Sequence, residues 1–102
     1  MEVYKWAKQL RKKFPTLLPT RVYVRDLSKD NDLGKTDLIL IDGKPHHFNI
    51  TIHKSFNFVM FDALLHEWAH VYSWQEGEVV ERHNIEWGIV FSKIYREMKN
   101  ED

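Results

Sequence analysis

The sequence predicts an α+β fold: an N-terminal helix, a small three-stranded and mainly antiparallel sheet, then two more helices. Three observations predict it. Apolar residues recur at helical spacing in residues 2–14 and again in two stretches between 57 and 99. The segments between are rich in β-branched and aromatic residues, as strands are. An Asp-Gly pair at 42–43 separates two of those segments, as in a tight hairpin.

Val3, Trp6, Ala7, Leu10 and Phe14 form the apolar stripe of an amphipathic helix over 2–14. Pro15 and Pro19 forbid its continuation. RVYVRDL at 21–27 reads as a strand, and SKDNDLGKT after it as a polar loop. DLILI at 37–41 is a second strand with more continuous apolar character. DGKP at 42–45 is the turn, and HHFNITIH at 46–53 the returning strand. In that strand Phe48, Ile50 and Ile52 alternate with His47, Asn49, Thr51 and His53, so one face is apolar and the other polar. A long helix is expected over 57–76 with Gly77 as its stop, and a last helix over 80–99.

The 102 residues are the size of one domain and too short for two. With 43% hydrophobic and 14% aromatic residues the composition is globular, not disordered. There is no cysteine, which excludes disulfides and Cys-ligated zinc. Fifteen Lys plus Arg balance fifteen Asp plus Glu, so the charge does not support a nucleic-acid partner held by phosphate neutralisation. The local cluster Lys8, Arg11, Lys12 and Lys13 reads as the solvated face of a helix. The first residues, MEVYKWAKQLRKKF, lack the apolar core of a signal peptide, and no apolar run reaches about 18 residues. The expectation is a soluble, cytoplasmic chain with no membrane partner.

HEWAH at 66–70 carries the chemistry. On a helix His66 and His70 lie one turn apart on one face, close enough to bind one ion. Glu67 sits beside them, rotated by about 100°, and can lean toward a metal-bound water without being a ligand. Zinc brings the pKa of such a water to about 7, and a nearby carboxylate can take its proton. The surrounding helix is mostly apolar, from Val59 and Met60 through Trp68 to Val71, so two His and a Glu there would be costly if buried without partners. A catalytic site needs a third ligand and one open position. His83 heads the stripe His83, Trp87, Val90, Ile94 and Met98 in the last helix, and SWQEGEVVE is long enough to bring it back beside His66 and His70.

HEWAH followed, thirteen residues after its second histidine, by HNIEW resembles the SprT-like (Spartan-type) zinc metallopeptidases. Their pattern is H-E-x-x-H, then a third histidine followed by a small residue and, three or four positions on, Glu or an aromatic; His83, Asn84, Glu86 and Trp87 occupy those places. The family usually has Gly after the third histidine. Asn84 stands there, and Asn is the next most tolerant residue for a left-handed backbone. The resemblance covers residues from about 57 to 95. It implies a single zincin-like minimal metallopeptidase domain over 1–102, with one Zn2+ per chain held by His66, His70 and His83, Glu67 as general base, and a protein or peptide substrate. Many members carry a C-terminal zinc ribbon; none is expected within this cysteine-free sequence, so a nucleic-acid-linked role is not carried over.

Other residues have competing roles. Glu86 is a second-sphere support for a ligand, a surface carboxylate, or the third ligand in place of His83. Asp62, one turn before His66, either accepts a hydrogen bond from a histidine or faces solvent. Trp68 and Trp87 read as core aromatics, and Trp74 as core or rim. If the 46–53 strand is an edge strand over the site, His47 and His53 line the cleft; otherwise they are exposed. Tyr72, Tyr23 and those strand histidines are the candidates for stabilising an oxyanion. The rival functions are a zinc-stabilised binding module without catalysis and a nucleic-acid-associated adaptor. The sequence is silent on oligomeric state.

Overall fold

One connection holding Pro15 and Pro19 and one tight hairpin help organise the described residues into three helices and three strands. The structure, a computed structural model, describes residues 2–74 and 83–99. The order is α1 (Glu2–Lys13), β1 (Thr20–Arg25), a short 3-10 turn (Ser28–Asp30), β2 (Gly34–Ile41), β3 (Lys44–His53), α2 (Asn57–Ser73) and α3 (Ile85–Lys99). The expected α+β class holds, and every expected element is present. The expected stop at Gly77 and the start of the last helix at 80–82 lie outside the described residues.

The sheet is mixed, which corrects the mainly antiparallel expectation. Its strand order is β1-β3-β2. Asp42 and Gly43 both have positive φ, 52° and 75°, as the two centre residues of a type I′ turn require, so β2 and β3 are antiparallel. The chain leaves β1 and skips one strand position before β2, and β3 returns into the gap. β1 and β3 therefore run parallel, with Val22 opposite Ile50. Strand order depends on which apolar faces meet in space, and no local pattern encodes it.

Apolar residues lie nearly all the way round α2, so it must be covered on several sides. Phe48, Ile50 and Ile52 of β3 cover one side, all 0% exposed, together with Leu64, Leu65 and Trp68 of α2. Val3, Ala7 and Leu10 of α1 join the same core, and Ile94 and Met98 of α3 complete it. The Trp68 indole N–H donates to the Phe14 carbonyl at 3.1 Å, which ties the end of α1 to α2. Arg11 donates twice to the Thr20 carbonyl, at 3.0 and 3.2 Å, and Lys13 lies 4.0 Å from Glu97. Part of the basic cluster thus braces α1 against its neighbours. The radius of gyration is 13.0 Å, about that of a compact chain of this length. Among the described residues no helix is long and apolar enough to cross a membrane.

Candidate metal centre

His66 and His70 occupy one face of α2, and His83 lies just before α3. The Nε2 atoms of the three rings form a near-equilateral triangle: 3.2 Å from His66 to His70, 3.2 Å from His66 to His83, and 3.1 Å from His70 to His83. Tetrahedral ligands at about 2.0–2.1 Å from zinc lie about 3.3 Å apart, so the donor set and its spacing fit such an ion closely. Each neutral imidazole has one acceptor nitrogen and one N–H, so three nitrogens facing one another cannot all satisfy each other by hydrogen bonds. One cation among them would satisfy all three lone pairs. Among the described residues these three histidines are the group able to hold a metal.

His83 precedes the last helix rather than belonging to it. The Asn84 side-chain oxygen accepts the Trp87 backbone N–H at 2.8 Å, which caps α3 at its first turn. Asn84 is therefore a helix cap and not a left-handed residue; the described non-glycine residues with positive φ are Asn31 and Asp42. Lying ahead of the cap, His83 is not bound to the α3 face and its ring reaches back to α2.

The three sites differ in exposure. His70 is 2% exposed, while His83 is open to solvent. Burial, then the neighbouring His66 and His83, pushes the His70 pKa down to about 4, so the ring is neutral at pH 7 and ready to offer a lone pair. Its Nδ1 is buried without a hydrogen-bond partner among the described residues. Packing orients this ring instead. Trp87 stacks on it with centroids 5.2 Å apart and planes 27° apart, leans on His83 at 4.5 Å, and meets His66 edge-on at 4.9 Å. Phe91 stacks behind Trp87 at 5.1 Å. Trp87 is thus a wall of the site as well as a member of the core stripe.

Glu67 is 5% exposed and lies outside the three-histidine group. Its Oε2 lies 3.8 Å from His66 Nε2, so the carboxylate leans toward the triangle as helix geometry predicts. Its Oε1 accepts a 2.7 Å hydrogen bond from the buried Thr36 hydroxyl. A Cβ built on Gly34 would stand 3.3 Å from Glu67 Cγ, so the start of β2 lies close against this side chain. The sequence assigns Gly34 and Thr36 to a polar loop; their role follows only from the extra residues that pair with β3.

That pairing also relocates the edge strand. β3 is central, and β2 is the edge beside Glu67. Since Phe48, Ile50 and Ile52 face α2, His47 and His53 face the other way. His53 Nδ1 accepts the Leu27 N–H at 2.9 Å, and His47 Nδ1 lies 2.8 Å from His46 Nδ1. Tyr72 packs on Phe14, and Tyr23 lies under Arg25. Glu86 is exposed and outside the triangle, Asp62 is exposed, and Trp74 is buried against Phe48. A cavity of about 930 Å3 opens beside His66 and Glu67, between residues 31–34 and the facing sides of α2 and α3. Compared with family models, curated proteins and solved structures, the chain matches none.

Proposed function

We propose that this protein is a zinc-dependent peptidase of the SprT-like, zincin type, hydrolysing a peptide bond with Glu67 as general base. The observation that carries this reading is the triangle of three Nε2 atoms, 3.1–3.2 Å on a side, with a buried carboxylate leaning toward it. A binding module held together by zinc would need the triangle but not the carboxylate.

His66, His70 and His83 would hold the ion, with Trp87 fixing their rings. A bound zinc supplies an acidified water and polarises the scissile carbonyl. Glu67 takes the proton of the attacking water and later delivers it to the leaving nitrogen. The Thr36 hydroxyl occupies Oε1 and so turns Oε2 toward the site. In the antiparallel ladder the Leu33 carbonyl accepts from His53, so the next residue, Gly34, turns its N–H and C=O to the outer edge. There it can pair with an extended substrate chain.

The test is Glu67→Gln. Zinc content should stay at one per chain while cleavage of an unfolded protein substrate drops by about 10³-fold or more. A wild type that binds no zinc, or cleavage untouched by the substitution, would sink the reading.

A further inference from the structure

We infer that the cavity beside Glu67 is a side-chain groove that selects substrates with large apolar residues on one side of the scissile bond. The inference rests on the peptidase reading for placing that bond at the His66 end. On α2 the groove runs from Phe58 and Val59 to His66 and Glu67, and Leu33, Phe91 and Tyr95 supply its other walls. Eight to nine helical residues span about 12–14 Å, the length of about four extended residues. Chemistry sits at one end only, so the groove reads residues on one side of the cut.

The walls set the class of side chain. Leu33 and Phe58, 58% and 71% exposed, both line the cavity of about 930 Å3. An apolar side chain laid between them would remove their surface from water. Asp32, Asp62 and Glu67 line the same cavity against one cation, Arg96, so an acidic substrate residue would meet a net excess of like charge. The occupant that fits is an extended peptide with Phe, Leu, Met or Tyr next to the cut, and not Asp or Glu. Continuity with the catalytic carboxylate distinguishes this groove from an ordinary apolar surface.

The zinc-loaded full chain would be given a mixture of random dodecapeptides, with cut sites read by mass spectrometry. In parallel, binding of fluorescein-labelled Gly-Gly-Gly-Phe-Gly-Gly-Gly and its Asp counterpart would be measured. Large apolar residues should be enriched at least about tenfold over acidic ones on one side of the cut, and the Phe peptide should bind at least about tenfold tighter than the Asp peptide. Ser92 is exposed on the α3 wall, so Ser92→Trp should fill the groove and reduce both ratios below about threefold. Phe58→Ala, also at an exposed position, should lower the ratios from the other wall. Cleavage without side-chain preference, or a preference that Ser92→Trp leaves intact, overturns the groove and leaves the peptidase standing. No cleavage but selective, Ser92→Trp-sensitive peptide binding overturns the peptidase and keeps the groove's selectivity. Neither cleavage nor selective binding overturns both.

Discussion

Thr36 and Glu67 stand 31 residues apart in the chain and meet in a buried 2.7 Å hydrogen bond, the hydroxyl donating to Oε1. It links the edge strand to the helix that carries two of the three histidines. A carboxylate among apolar residues has two oxygens to satisfy and several rotamers to choose from. The bond narrows that choice and aims the other oxygen at the site.

Thr36→Val keeps the shape and removes the donor. About 10–100-fold of kcat should be lost with KM and zinc content little changed. Stability should fall by about 1–3 kcal/mol, since a buried acceptor loses this donor. Steady-state kinetics with a urea denaturation series would check both, and an unaltered kcat would refute the positioning role.

Gly34→Ala tests the same contact from the backbone side. The new methyl would stand 3.3 Å from both Glu67 Cγ and Ile52 Cδ1, tighter than ordinary packing. Glu67 should be displaced by a few tenths of an ångström, lowering kcat by about tenfold. The melting temperature should change by only a few degrees, as for about 1 kcal/mol.

His83→Ala should weaken zinc binding by about a hundredfold or more, because two histidines alone make an incomplete site. Glu86→Gln should leave it unchanged, because Glu86 is exposed and outside the triangle. Metal analysis after dialysis against a weak chelator separates the two. The opposite pattern would make Glu86 the ligand.

Trp87→Ala removes the surface on which three imidazoles rest. Zinc affinity should fall by about tenfold and stability by about 2 kcal/mol, with Trp87→Phe recovering most of both. Zinc titration followed by thermal melts would show it. Full-strength binding by the alanine variant would mean the rings are held some other way.

The pH response of the metal-free protein has a defined sign. His70 titrates at about 4 when folded against 6.5 as a model group. Between those values the unfolded chain binds the extra proton and the native chain does not, so stability rises with pH across the window. Acidification from about pH 6.5 to about 4 should therefore lower the urea midpoint of chelator-treated protein, with this contribution exhausted below that. His70→Gln should flatten the trend; an unchanged slope would show that His70 is not its source.

Much of this protein was legible from local pattern. The α1 stripe, the Asp42-Gly43 hairpin, the α2 helix and the shared face of His66 and His70 depend on neighbours within a turn or two, where dihedral preference and periodicity decide. His83 was legible as a partner because a histidine heading an apolar stripe has little else to meet. Its position ahead of α3 was less so: Asn84 suits a left-handed backbone or a helix cap equally well, and only its contact with the Trp87 N–H separates them.

Tertiary structure alone decided which strand borders the site. Polar alternation in β3 allowed either a cleft wall or an exposed face, yet its apolar face pairs with α2, and that turns His47 and His53 to the far side, where His47 is buried and His53 half-buried. Gly34 and Thr36 gained their roles because β3 fills the middle of the sheet and leaves β2 at the edge. Trp87 became a wall of the site because α3 packs across α2. Each of these is a contact between residues far apart in the chain, fixed by how apolar faces share one core, and a one-dimensional pattern carries no record of that choice.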